Sequence, residues 1–174
     1  MLRLRFAQYL ALSGGDDFYE WFLGPRMVYT SGVVLDLERE ETLEELQDNK
    51  LTLVCEKLNL EPTDRLLDIG CGWGTLAAFA AKNYGCDVTG VTLAKKQTKF
   101  GNDRIAANGC DPERARILCC DYRDIPVARG HYTKIVSLEM AEVRPTDDIN
   151  LRRALRVIPA RRHQTLWLVL ETGI

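Results

Sequence analysis

The chain has 174 residues, 46% of them hydrophobic and 28% charged, which allows one globular domain with a substantial core and excludes a second full domain. A formal charge of -2, with 25 acids against 23 lysines and arginines, provides no general attraction to nucleic acid. The cysteines (Cys55, Cys71, Cys86, Cys110, Cys119 and Cys120) form no C-x-x-C pair and have no nearby histidine partner, which argues against a metal site and for reduced, buried thiols.

The amino terminus, M-L-R-L-R-F-A-Q-Y-L-A-L, starts like a signal peptide, but Gln8 breaks its apolar stretch and no small-residue cleavage pattern follows, so it reads as unprocessed. No apolar run approaches the ~20 residues needed to span a bilayer. Contact with a membrane is therefore expected from the surface. Up to about residue 35, aromatic residues alternate with turn formers (Gly14-Gly15, Gly24-Pro25, Gly32), which predicts loops and short helices. Thr42 and Glu45 form a capping box, and Leu43, Leu46, Leu53, Val54 and Leu58 recur at near-helical spacing, so a helix is predicted over about 43 to 58 with Pro62 just beyond it.

From there the pattern alternates. A strand is expected near 65 to 69, a helix over T-L-A-A-F-A-A-K-N-Y ending at Gly85, and a strand over D-V-T-G-V-T-L. A helix over about 95 to 108 stops at Gly109, and A-R-I-L-C-C and Y-T-K-I-V-S-L-E-M read as further strands. Short β-rich runs separated by helical segments indicate βαβ units, hence an α/β fold with a parallel sheet covered on both faces. After Glu142 only T-L-W-L-V-L-E, near 165 to 171, still looks like a strand.

Chemistry concentrates at the ends of these strands. Gly70, Gly72 and Gly74 directly follow an apolar strand and precede a helix, so the backbone can turn sharply and approach a ligand. The spacing is G-x-G-x-G with no Lys-Ser/Thr pair after it, which fits neither a phosphate-cradling P-loop nor the G-x-G-x-x-G dinucleotide fingerprint. Asp68, just before the glycines, can accept hydrogen bonds from a cationic or amine-bearing ligand. A tight connection with no ligand would have the same glycines. The second strand ends in Thr92 and Leu93, with Gln97 following, rather than in the acid that holds ribose hydroxyls in many dinucleotide enzymes. Hydroxyl and amide would replace that acid, unless Thr92 and Gln97 are ordinary helix-entry residues. Asp121 follows the third strand, where it is either a ligand for an exocyclic amine or a solvated turn acid.

The segments D-F-Y-E-W-F-L-G-P-R-M-V-Y-T-S-G, L-E-E-L-Q-D-N-K, L-L-D-I-G-C-G-W-G-T-L, V-T-G-V-T-L and I-V-S-L-E-M-A-E resemble the cyclopropane-fatty-acid synthase and mycolic-acid methyltransferase superfamily. Within it, F-L-G-P-R-M-V-Y-T-S-G and L-Q-D-N-K are most similar to the fungal sphingolipid 9-methyltransferases, and the matches span about residues 15 to 142. The resemblance implies a class I, Rossmann-like methyltransferase fold and S-adenosylmethionine (SAM) as cofactor. It also implies a helical cap and cofactor lid over residues 1–62, a SAM-binding core over 63–142 and a divergent tail over 143–174. By the same resemblance, Tyr29 and Thr30 hold the methionine carboxylate of SAM and Gln47 lies near that end. Asp68, Gly70, Gly72 and Gly74 line the cofactor, Thr92, Leu93 and Gln97 its ribose side, and Asp121 with Tyr122 the adenine. Core packing is the other reading of Tyr29, and it is the preferred one for Trp21.

The implied reaction is methylation of an unactivated alkene in a lipid, either on carbon 9 of a ceramide's long-chain base or, with ring closure, as cyclopropanation of an acyl chain. The resemblance implies a bound bicarbonate as the base that removes the proton, with Glu142 holding it and Ser31 beside the pocket. The cysteine spacing and the net charge predict no metal and no nucleic-acid partner. The family continues past its acid with H-V-G, whereas Glu142 is followed by Val143-Arg144-Pro145, and no histidine occurs until His163. This switch reads as truncation or an altered frame, with an incomplete sheet and substrate pocket. It leaves open a chain that only binds SAM. The full-length family is expected on the endoplasmic-reticulum membrane; this chain lacks a spanning segment and reads as cytoplasmic or peripheral. Five arginines between 152 and 162 form either a lipid-headgroup contact or a solvated helix face.

Overall fold

The computed structural model describes residues 16–126, 131–138 and 165–168. Helix α1 (Asp16–Leu23) lies where short helices were expected, and it buries Tyr19 and Leu23 against Met27 and Trp73. Trp21 corrects the expectation of core packing: it is 84% exposed. Two residues along a helix turn the side chain by about 200°, so a helix that buries Tyr19 and Leu23 points Trp21 the other way.

Helix α2 (Leu43–Lys57) begins as its sequence dictates. Thr42 accepts the backbone N–H of Glu45, and the Glu45 carboxylate accepts the backbone N–H of Thr42 at 2.8 Å. Its inner face is Gln47, Lys50, Leu51, Val54 and Cys55, whereas Leu43, on the predicted apolar stripe, is exposed.

The remainder is β1 (Arg65–Ile69), α3 (Thr75–Tyr84), β2 (Asp87–Thr92), α4 (Lys95–Ala107), β3 (Ala115–Cys119), β4 (Lys134–Leu138) and β5 (Thr165–Leu168). A short 3₁₀ turn at Tyr122–Asp124, not foreseen from the sequence, follows β3. Gly85 stops α3 in the left-handed conformation (φ 67°), its N–H reaching Ala81 O at 3.2 Å, and no residue with a Cβ takes that conformation as readily.

All strands run parallel in the order β3-β2-β1-β4-β5. The expected parallel sheet is thus present, and the segment near 165 supplies the fifth strand beside β4. The expected covering of both faces is corrected: α2, α3 and α4 all pack on the face of Leu66, Val88 and Val136, and among the described residues no α-helix packs on the face of Leu67, Val91 and Ile135. β1 sits at the centre. Leu66 packs with Ala77, Val88 and Val136 in one cluster, while Leu67 and Ile69 join Val91, Tyr132 and Ile135 in another. Each such leucine contributes about 1.5–3 kcal/mol on burial. The thiols correct the expectation in part: Cys55 and Cys86 are buried, Cys71, Cys110 and Cys120 partly buried, and Cys119 exposed, all of them free. Among the described residues no helix is long and apolar enough to cross a membrane.

Candidate active site

In an open parallel sheet, ligands bind beyond the carboxyl ends of the strands, where the strand order changes direction. Here that point lies between β1 and β4, the two directions in which the chain leaves the centre of the sheet. Asp68 and the glycine loop stand at the carboxyl end of β1, Thr92 and Leu93 at that of β2, and Asp121 and Tyr122 just past β3. The fold brings these predicted residues to one edge.

The loop is tied down on one side. The N–H groups of Gly70 and Cys71 both reach Val91 O, at 3.0 and 3.1 Å, and Cys120 N–H reaches Thr92 O at 3.1 Å. Gly70, Gly72 and Gly74 have φ of 77°, 54° and 72°. Their surroundings differ. A Cβ on Gly72 would meet nothing within 4 Å, while one on Gly74 would lie 3.0 Å from Ile117 Cδ1 and 3.2 Å from Gly101 Cα. Gly72 faces open space where a ligand can approach. Gly74 serves the packing of α3 on α4, a role the sequence spacing left undivided from its neighbours.

Asp68 is 3% exposed, and burial pushes its carboxyl up from 3.8 to about 7. A buried carboxyl with that cause alone is a site prepared for a donor or a cation. Thr92 and Gln97, both buried, meet each other: the Thr92 hydroxyl donates to Gln97 Oε1 at 2.7 Å and accepts the Ala94 N–H at 3.3 Å. The pair uses the amide's carbonyl, so Gln97 presents its Nε2 donor. Leu93 is exposed at the strand end. Asp121 is engaged by Arg123, whose backbone N–H, Nε and Nη2 reach its carboxylate at 2.9, 2.8 and 2.6 Å. The carboxylate in turn raises the Arg123 pKa further above its ordinary value. An exocyclic amine would have to share Asp121 with this guanidinium, which also lies 5.9 Å over the Tyr122 ring.

The amino-terminal segment forms a strap over α2. Each residue of Leu46, Gln47, Asp48, Asn49 and Lys50 holds part of it. Leu46 O accepts Val33 N–H at 2.9 Å, Gln47 Nε2 donates to Leu23 O and Val28 O at 3.1 and 3.4 Å, and Asn49 Nδ2 donates to Val33 O at 3.1 Å. Asp48 pairs with Arg26 through two bonds of 2.8 Å, and Lys50 Nζ donates to Thr30 Oγ1. Gly32 lets the strap lie this close, since a Cβ there would be 2.6 Å from that of Leu46. Tyr29 is 56% exposed, with its ring 6.2 Å from that of Tyr19, which is the outcome opposite to core packing. Ser31 is exposed beside it. Glu142, the five tail arginines and His163 lie outside the described residues.

Arg104 is a residue that sequence reasoning passed over. From α4 it donates to Pro25 O and Arg26 O at 2.8 Å each and to the Thr75 hydroxyl, which itself donates to Arg26 O at 2.6 Å. Tyr19 closes the same junction, 4.8 Å from the ring of Trp73 in the glycine loop. Nothing in the local pattern marks Arg104, because an arginine on an amphipathic helix ordinarily faces water.

Comparison with known proteins follows the same line. Residues 10–150 match the family described as mycolic acid cyclopropane synthetase. The chain is 65% identical over 128 residues to sphingolipid C9-methyltransferase 2 of Gibberella zeae, covering 74% of this chain and 25% of that protein. It is 61% identical, with the same coverage of 74% and 25%, to sphingolipid C9-methyltransferase A of Emericella nidulans. The chain therefore spans about a quarter of the length of these curated relatives. Among solved structures, the mycolic acid cyclopropane synthase CmaA1 complexed with SAH and CTAB is 30% identical, with a TM-score of 0.70 over 86% of this chain and 51% of that one.

Proposed function

Because the chain belongs to the mycolic acid cyclopropane synthetase family, we propose that it carries the SAM-binding part of a lipid methyltransferase that acts on carbon 9 of the sphingoid base of a ceramide. The observation that carries this reading is the convergence of Asp68, the open Gly72, the Thr92–Gln97 pair and the Tyr29–Thr30 strap at one end of the sheet. The residues fit the cofactor. Gly72 leaves open space for it, and Gln47 Oε1 is a buried acceptor with no partner among the described residues.

In this reading residues 1–62 are the cap, 63–142 the cofactor core and 143–174 the tail. Tyr29 and Thr30 hold the methionine carboxylate, Gln97 and Thr92 the ribose beside Leu93, and Asp121 with Tyr122 the adenine. SAM supplies a methyl group on a sulfonium, an electrophile that an alkene can take. The protein's share is alignment: Arg104 and the Leu46–Lys50 clasp set the strap, and Tyr19 on Trp73 fixes the strap against the glycine loop. Asp68 accepts hydrogen bonds at the loop's base. Glu142 would hold a bicarbonate, which supplies the base when bound, with Ser31 beside that pocket, and the lipid is met at a membrane surface without metal or nucleic acid.

Cyclopropane formation on an acyl chain is a second reading, favoured by the likeness to CmaA1. Calorimetric titration of the purified chain should give saturable SAM binding that Asp68→Ala weakens. No binding to the parent chain sinks the assignment. Incubation with an alkene-bearing glucosylceramide and with an unsaturated phospholipid, read by mass spectrometry with double-bond analysis, separates the two substrates. Binding of SAM with no product from either lipid would reduce the function to cofactor binding.

A further inference from the structure

We infer that Lys50, which no motif reading assigned, is the positioning residue that turns Thr30 into a directed donor for the carboxylate of the cofactor's amino-acid end. The inference rests on the SAM reading above and deepens it. Lys50 is 1% exposed, the last residue of the Leu46–Lys50 clasp, and its ammonium donates to Thr30 Oγ1. An ammonium has only protons to give and no acceptor. A hydroxyl that accepts from it has its own proton left to donate elsewhere. Lys50 therefore fixes the polarity of Thr30: the hydroxyl presents O–H outward, and the nearby positive charge strengthens that donor toward an anion. Without Lys50 the Thr30 hydroxyl can rotate and present a lone pair instead, which a carboxylate repels.

Gln47 supplies the complementary half. It lies three residues before Lys50, on the same face of α2, and is 2% exposed. Its Nε2 is committed to Leu23 O and Val28 O, so its orientation is set by two backbone carbonyls. Its Oε1 is left buried without a partner among the described residues. A buried acceptor that is not satisfied costs about 1–3 kcal/mol, which a ligand's donor would offset. One face of α2 thus offers an acceptor from Gln47 and, through Thr30, a charge-backed donor from Lys50. That pairing matches the ammonium and carboxylate of an α-amino acid, and neither neutral nucleoside atoms nor a phosphate would use both.

The test compares two ligands on the full chain: S-adenosylhomocysteine, which carries the amino-acid group, and 5′-methylthioadenosine, which lacks it. Lys50→Met keeps the length of the side chain and removes its charge. It should weaken S-adenosylhomocysteine by about tenfold or more, as for the loss of a charge-assisted hydrogen bond, and leave methylthioadenosine within about twofold. Thr30→Val should do the same, and the double variant should lose little beyond either single one, because both act through one hydroxyl. Thr30→Ser should restore binding. Equal weakening of both ligands by Lys50→Met, or no weakening of either, overturns the inference. If Lys50→Met does not fold, Thr30→Val and Thr30→Ser decide it on the same two ligands. A parent chain that binds neither ligand refutes the SAM reading itself, whereas a parent that binds both equally well refutes only the role of Lys50 and Thr30.

Discussion

Replacing Asp68 with asparagine should make the ligand-free protein more stable and its ligand weaker. The side chain is 3% exposed, and its carboxyl is pushed up from 3.8 to about 7 by burial. Between those two values the folded protein keeps a proton that the unfolded chain has released. The unfolded state then binds fewer protons, so stability falls as pH rises through that window and levels off above it. At about 1.4 kcal/mol per pH unit, the interval corresponds to a loss of about 4 kcal/mol. An asparagine side chain has no proton to lose, so Asp68→Asn should match the parent near pH 4 and exceed it by up to about 4 kcal/mol at pH 8. In thermal melts followed by circular dichroism that difference is on the order of 10 °C for a chain of this size. In the same variant the thermal shift produced by SAM should shrink. Parallel melting curves for parent and variant from pH 4 to 8 would refute the argument that Asp68 is an unpaired buried acid.

Two glycines of the loop, Gly72 and Gly74, should separate by mechanism. Gly72→Ala, in open space at φ 54°, should cost only about 1 kcal/mol of stability from its left-handed backbone, whereas Gly74→Ala must also displace Ile117 and should cost about 2–3 kcal/mol in denaturant titration. Trp21→Ala should leave stability within about 0.5 kcal/mol, and Tyr19→Ala, which removes a ring 4% exposed, should lose about 3 kcal/mol in the same assay. Arg104→Ala should free the carbonyl of Pro25 and leave that of Arg26 to the Thr75 hydroxyl alone, seen as faster hydrogen exchange across residues 24–33 with the strands unchanged.

The sheet was legible because its signals are local. Short apolar runs, glycine stops at Gly85 and Gly109 and the Thr42–Glu45 box each act within a few residues, so strand and helix limits follow from them. The glycine loop and Asp68 were legible for the same reason: a central strand end followed by glycines leaves few other roles. What the sequence withheld is orientation. Four aromatic residues crowd α1, and only the placement of Trp73 decides that Tyr19 turns inward and Trp21 outward. The pairing of Asp121 with Arg123 two residues on was not legible, because it depends on the 3₁₀ turn that follows β3. Lys50 and Arg104 were hidden because a cation on a helix ordinarily faces water; each is drawn inward by a partner 20 or 78 residues away that no window of sequence contains.

The anchoring of the strap by Arg104 has a bearing on how the protein is made. Residues 24–33 leave the ribosome early, yet the guanidinium that holds Pro25 and Arg26 lies 78 residues beyond Arg26 along the chain. Until α4 has been synthesised and packed on β3, the strap rests on α2, the Thr75 hydroxyl and the Trp73 ring, and the carbonyl of Pro25 lacks its guanidinium. The end of the site that reads an amino acid is thus translated first and completed late, so a nascent chain halted before residue 104 would have the glycine loop and the α2 clasp but a strap without its guanidinium anchor.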